Sequence, residues 1–290
     1  IAMDPNNPRI LFAGMWQLEI HTWGRESGGP GSGLFMSRDG GDTWTRLVGS
    51  ELPKLPVGKV AVCMTPSNSN RVYALIETGD GVPWHGQETE SGELWRSDDG
   101  GDTWALVSSD RNLAGRTHYY SRCAVAPDDE ETAYFLSNNF SISVDGGKQA
   151  TVTKRGLTTR SHVTHESPGG DSHDIWIDPT DGDRMIVAHD HGVSISVNRS
   201  LSWNQVELPV AQMYHVAVDN RIPYYVYGNR QDGPSVRGPS NSRLQPAGGM
   251  VFHGIPKSMW HSVGGGESGF AVPDPVDPDI IWATASGSGA

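Results

Sequence analysis

An all-β propeller built of four-stranded antiparallel blades is the fold class this sequence predicts, on three observations. The first is a repeated octet: Ser37-Arg38-Asp39-Gly40-Gly41-Asp42-Thr43-Trp44 recurs almost letter for letter as Ser97-Asp98-Asp99-Gly100-Gly101-Asp102-Thr103-Trp104. Degenerate copies follow at 143–148 and 196–203, so the period is about 45 to 60 residues, the length of one blade. The second is a recurring unit upstream of the octets: an apolar alternation, a turn rich in Asp and Pro, then another apolar run. The third is composition, since 36 % hydrophobic residues with 36 glycines and 19 prolines in 290 residues suit many short strands and turns.

The octet predicts a tight turn in which the aspartate accepts backbone N–H groups and the glycines supply positive φ. Thr then re-enters a strand, and Trp44, Trp104 and Trp203 are expected to fill the wedge between neighbouring blades. Asp39 and Asp99 are therefore expected as turn caps and not as catalysts. The upstream unit reads as a hairpin joining the innermost strand of a blade to the second. Its turns are Met3-Asp4-Pro5, Met64-Thr65-Pro66, Ala126-Pro127-Asp128, Ile177-Asp178-Pro179, Val218-Asp219-Asn220 and Pro273-Asp274-Pro275. These place blades at 1–49, 57–107, 118–153, 172–207 and 212–262, with a partial blade at 266–290, all in one body. Residue 1 falls at the tail of an inner strand and the chain stops just after a second strand. The expectation is a segment of a larger propeller protein, or else a ring closed by pairing the two end fragments.

A formal net charge of −12 with scattered basic residues argues against a nucleic-acid partner, whose phosphates need a basic patch that can displace counterions. No apolar run is long enough to predict a membrane span, and the N-terminus carries no signal-peptide pattern. Cys63 and Cys123, both in predicted inner strands, leave a single bridge open.

The octet is similar to the bacterial neuraminidase repeat, or Asp-box, shared by sialidases, xyloglucanases and sortilin-type receptors. The likeness extends to Arg116-Thr117-His118-Tyr119-Tyr120-Ser121-Arg122, Ser172-His173-Asp174-Ile175-Trp176-Ile177-Asp178-Pro179, Tyr214-His215-Val216-Ala217-Val218-Asp219-Asn220 and Gly265-Gly266-Glu267-Ser268-Gly269. These strings resemble the large bacterial sortilin-like, neuraminidase-repeat proteins described as glycosyl hydrolases, over essentially the whole chain. The resemblance implies octets between the third and fourth strands of each blade, an extracellular or periplasmic location, and a polysaccharide or oligosaccharide as the partner. Two departures from the family pattern are His189-Asp190-His191-Gly192 in place of Asn-Asp-Gly-Gly, and Gln231-Asp232-Gly233 in place of Gln-Asp-Asn-Gly. A true sialidase is not expected, because Asn220-Arg221-Ile222-Pro223 falls in a hairpin on the far face.

Strands of a blade alternate in direction, so inner-strand starts and second-strand ends share one face, away from the octets. Side-chain direction has period two. Counting back from Asp178 gives His173 and Asp171; the same count gives Tyr214 in blade 5, Glu267 in the last blade and Tyr119 in blade 3, but only Val60 and Gly58 in blade 2. Second-strand ends add Glu77, His189, Asp190, His191, Arg230 and Asp232. Three schemes follow. For glycoside cleavage, Asp171 or Asp174 faces Glu267 or Asp232, one protonating the leaving oxygen and the other serving as base or nucleophile. For a polysaccharide lyase, His173 beside Arg122 or Tyr119 abstracts the proton α to a uronate carboxylate. For a metal, His189 and His191 project to one side of an extended strand with Asp190 nearby. Beyond that metal the sequence leaves any cofactor open. Trp16, Trp23, Trp84, Tyr119, Tyr120, Tyr214, Arg122 and Arg230 are candidate sugar contacts, and the stretch 228–249 is expected as a long loop that lids the channel or moves freely. The competing class is a non-catalytic sortilin-like module that holds a peptide or partner protein; it predicts an apolar groove in place of converging carboxylates.

Overall fold

The structure, a computed structural model, describes the chain apart from residues 50–51, 79–91, 116, 154–164, 207–210, 245–251, 254 and 286–290. It divides into two compact units, Ile1–Glu207 and Leu208–Ala290. In the first unit, blade 1 comprises β1 (Ala2–Met3), β2 (Leu11–Met15), an inserted hairpin of β3 (Leu18–His21) and β4 (Gly24–Ser27), then β5 (Gly33–Ser37) and β6 (Thr45–Arg46). Blade 2 is β7 (Val60–Thr65), β8 (Asn68–Glu77), β9 (Gly92–Ser97) and β10 (Ala105–Ser108), and blade 3 is β11 (Arg122–Ala126), β12 (Asp129–Leu136), β13 (Phe140–Ser143) and β14 (Thr151–Val152). Blade 4 is β15 (Ser172–Asp178), β16 (Asp181–His189), β17 (Gly192–Ser196) and β18 (Asn204–Val206). Each blade is a separate four-stranded antiparallel sheet with its strands in chain order.

The second unit has one such sheet, from β19 (Met213–Val218), β20 (Tyr225–Arg230) and β21 (Ser235–Pro239), then, after a small hairpin of β22 (Arg243–Leu244) and β23 (Phe252–His253), β24 (His261–Gly264). A two-stranded sheet of β25 (Ala271–Pro273) and β26 (Ile281–Ala283) follows. Of the long loop expected over 228–249, more than half of the described residues, 228–244, are therefore strand. Its Gly, Pro and Ser composition masks the alternation, but β20 imposes the register, pairing Tyr225 with Pro239 and Gly228 with Val236. Residues 245–249 of that stretch lie outside the described residues.

The alternation of apolar residues explains how the blades of the first unit stack. On β8, Val72, Ala74 and Ile76 pack with Phe12, Leu34 and Met36 of blade 1, whereas the intervening Tyr73 and Leu75 pack with Val125, Ala133 and Phe135 of blade 3. On β12 the same switch sends Phe135 toward blade 2 and Tyr134 and Leu136 toward Met185 and Val187 of blade 4. A strand in mid-stack is thus apolar on both faces, and each large side chain so buried contributes about 2 kcal/mol. Inner strands β1, β7, β11 and β15 lie side by side and line a cleft of about 320 Å³, walled by Ile1, Met3, Val62, Met64, Ile175 and Ile177 among others.

The octets join third to fourth strands, at the end of the blade where Met185 pairs with Ser196 and away from the end where His189 pairs with Gly192. Ser37 Oγ donates to Asp39 Oδ1 at 2.7 Å and accepts Gly41 N–H at 2.9 Å, while Asp39 accepts the Thr43 N–H at 2.9 Å and the Thr43 hydroxyl at 2.5 Å. Blade 2 repeats every bond, with Ser97, Asp99, Gly101 and Thr103 at 2.6 to 2.8 Å. The Thr bonds foremost hold both carboxyls down to about 2. Trp104 and Trp203 wedge against the preceding blade, edge-on to Phe12 at 6.3 Å and to Phe140 at 5.8 Å. Trp44 departs from the expectation and stays 39 % exposed, its indole N–H donating to the Gly41 carbonyl of its own octet at 3.0 Å.

Candidate functional site

At the end opposite the octets, all four blades of the first unit contribute to one chain of contacts. Trp16 follows β2, and its ring carries Lys59 Nζ 4.8 Å from the centroid. Lys59, just before β7, donates the same ammonium to the Tyr119 carbonyl at 2.9 Å. Tyr119 and Tyr120, which lead into β11, meet edge-to-face at 4.7 Å, and Tyr120 lies 5.3 Å from the ring of His173 on β15. His173 Nε2 then meets Asp190 Oδ1 at 2.5 Å. Tyr119 is 47 % exposed, with the Arg25 guanidinium from the inserted hairpin 5.9 Å over its ring.

A buried carboxylate supports this rim. Glu77, at the end of β8, has no exposed surface, and its Oε2 accepts the Ser27 hydroxyl at 2.6 Å and the Lys59 backbone N–H at 2.8 Å. Ser27 Oγ in turn accepts the Trp16 indole N–H at 3.0 Å, so one carboxylate orients both the indole and the lysine lying on it. Gly58 is required here, because a Cβ would overlap the Glu77 carboxylate. Burial foremost, then the charge of Arg122, pulls the Lys59 ammonium below its ordinary range, against the pull of Glu77.

His173 reaches the rim by a route different from the one its spacing suggested. The register of β15 on β16 runs Ser172 to His189 and then Asp174 to Ala188, so a bulge at His173 breaks the two-residue alternation and leaves His173 and Asp174 both exposed. Asp174 Oδ1 accepts the Ile175 N–H at 3.0 Å, a local anchoring bond. Asp171 has φ +53°, and its N–H donates to the Asn138 carbonyl at 3.3 Å, which docks the start of blade 4 on blade 3. Arg122 is exposed at the start of β11.

The histidine pair differs from the extended-strand expectation. Residues 189–192 form a two-residue hairpin turn, with ring centroids 6.2 Å apart. Ser194 Oγ donates to the Pro168 carbonyl at 2.6 Å, so its 3.0 Å contact with His189 Nε2 assigns the proton to that nitrogen. His189 Nδ1 accepts the His191 N–H at 3.2 Å. Both ring nitrogens of His189 are thereby engaged in holding the turn. Among the described residues, no three His, Cys, Asp or Glu side chains converge as a metal site would need.

In the second unit, a shifted register sets Met213 against Arg230, and the Tyr214 hydroxyl donates to Gln231 Oε1 at 2.5 Å. Asp232 occupies an exposed turn at φ +51°, Arg230 is half-buried at the end of β20, and Glu267 is half-buried in the turn closed by Gly269 N–H on the Gly266 carbonyl at 3.2 Å. His215 stacks on Phe270 at 4.0 Å, an aromatic pair that spacing did not signal. Trp84 and Arg116 lie outside the described residues. Trp23 is 71 % exposed and stacks on His21 at 4.4 Å within the inserted hairpin.

No family model matches the chain. Over 114 residues, 38 % of its length, the chain is 30 % identical to a xyloglucanase of Hypocrea jecorina (strain QM6a), covering 12 % of that protein. Among solved structures it is similar to the GH74 enzyme of Niastella koreensis, at 16 % identity and a TM-score of 0.46, over 93 % of this chain and 40 % of that one. The GH74 xyloglucanase from Xanthomonas campestris gives 17 % identity and a TM-score of 0.43, over 94 % of this chain and 41 % of that one. YCF48 from Cyanidioschyzon merolae gives 13 % identity and a TM-score of 0.39, over 83 % of this chain and 71 % of that one. The chain spans well under half the length of the xyloglucanases it resembles. No described helix is long and apolar enough to cross a membrane.

Proposed function

We propose that this protein is an exported, carbohydrate-active propeller whose first-unit rim binds a polysaccharide or oligosaccharide, with glycoside hydrolysis as the reaction. The observation that carries the reading is the contact chain Trp16–Lys59–Tyr119–Tyr120–His173–Asp190, which sets aromatic faces beside donors and acceptors from four blades. Sugar rings need that combination, since their C–H faces stack on aromatics while their hydroxyls hydrogen-bond in the ring plane. The similarity to a xyloglucanase supports it. Hydrolysis requires one protonated carboxyl to donate to the leaving oxygen and a second carboxylate to act as base or nucleophile. Within the first unit, Asp190, held by His173, joins Asp171 and Asp174 as candidates for these two roles.

The test is a panel of neutral and acidic glycans, scored for binding by calorimetry and for cleavage by new reducing ends. Tyr119→Ala is expected to weaken binding roughly tenfold, the worth of one stacked ring. An Asp171→Asn/Asp190→Asn double variant is expected to abolish cleavage while binding persists. A protein that binds no glycan on the panel overturns the reading. A second reading, a sortilin-like module gripping a peptide or partner protein, is favoured by the cleft between the inner strands, to which the side chains of Ile1, Met3, Val62, Met64, Ile175 and Ile177 contribute. Peptide binding lost on Met64→Asp but kept on Tyr119→Ala would select it.

A further inference from the structure

We infer that Cys63 and Cys123 are the two halves of a reversible disulfide that joins blade 2 to blade 3 at the inner strands. Cys63 lies on β7 and Cys123 on β11, neighbouring inner strands that belong to separate sheets and so share no backbone ladder. Both side chains pack in the same apolar cluster with Ala61, Val125 and Phe135, and both line the cleft between the inner strands. Each is a free thiol in this structure. Burial, foremost, and then the neighbouring Cys123 thiol push the Cys63 thiol well above its usual range.

The asymmetry sets the order of steps. Cys63 is 8 % exposed, whereas Cys123 is half-buried and opens on the cleft, within reach of a small oxidant. With a glutathione-type disulfide as the oxidant, the Cys123 thiolate attacks one sulfur, forming a mixed disulfide and releasing one glutathione thiolate. Cys63 then gives up its proton and displaces the second glutathione. Two protein thiols and one oxidised glutathione become one protein disulfide and two reduced glutathiones. The bridge closes a loop of roughly 60 residues that contains the outer three strands of blade 2, a length at which cross-linking substantially restricts the unfolded chain. It also ties together two walls of the cleft.

The test uses the whole chain in glutathione buffers from fully reduced to fully oxidised at about pH 8, where thiol exchange is rapid. Samples are quenched in denaturant with an alkylating reagent and read by intact mass and peptide mapping. The expected product is two hydrogens lighter, carries no alkyl group, links the Cys63 and Cys123 peptides, reverts with dithiothreitol and melts at a higher temperature than the reduced form. Cys63→Ser is expected to stop at a mixed disulfide on Cys123. A wild-type chain that stops there too, that takes one glutathione on each cysteine, or that keeps both thiols alkylatable across the series, overturns the inference.

Discussion

At the octet end of the first unit each blade closes with the same small set of bonds between residues no more than four apart, whereas at the opposite rim Trp16, Lys59, Tyr119, Tyr120 and His173 meet once, from four different blades. The difference shows how each end tolerates change. In blade 4 the octet has drifted to Asn198-Arg199-Ser200, yet the turn persists: Ser200 N–H reaches Ser196 Oγ at 3.0 Å and Ser202 N–H reaches Asn198 Oδ1 at 3.0 Å. Arg199 and Ser200 take positive φ of 53° and 62° where the intact octets have glycine. Arg199 offsets that strain by bonding Asp183 at 2.9 Å and Asp128 of blade 3 at 2.5 Å. A local bond pattern survives substitution of its members. The rim has no such redundancy, and it depends on Glu77.

That contrast can be broken most strongly at Glu77. Glu77→Ala leaves the Ser27 hydroxyl and the Lys59 N–H unpaired inside the protein, and urea unfolding should show a loss of about 3 kcal/mol. A wild-type midpoint would mean the rim is held by something else. Gly101→Ala attacks the other end: φ is +96° and the new methyl would lie 2.7 Å from the Phe12 ring, so the same titration should register about 2 kcal/mol.

A smaller effect separates the intact octets from the drifted one. Asp39 and Asp99 have carboxyls lowered from 3.8 to about 2, so the stability they supply is complete above about pH 4 and is lost as pH falls toward 2. The melting temperature should drop over that window, and Asp99→Asn should flatten the drop, whereas Asn198→Ala in blade 4 should leave its slope unchanged. The smallest effect belongs to the exposed rim. Tyr119→Ala should shift the unfolding free energy by less than about 0.5 kcal/mol, because nearly half of the side chain is already in solvent. A large loss there would make Tyr119 a packing residue.

Much of the fold was legible because its signals are short-range. The Asp and Pro hairpins, the apolar alternation of β8 and β12 and the Ser-x-Asp turns are all specified within about ten residues, and the six inner hairpins form where their turns stand. The site was legible only in part. Tyr119, His173 and Trp16 were singled out, but Lys59 was missed, because a period-two count in blade 2 selects Val60 and Gly58 and ignores a long side chain that crosses to Trp16 and to the Tyr119 carbonyl.

By itself the sequence determined the blade repeat, the caps and the strands, since hydrogen bonds between near neighbours and the pleat of a strand depend on local spacing alone. Only the tertiary structure decided that a bulge exposes His173 toward Asp190, that His189 spends both ring nitrogens on its own turn, and that one buried carboxylate orients the rim. Those outcomes depend on where strands tens of residues apart come to lie, and a one-residue shift in register, invisible in any local pattern, redirects every side chain beyond it.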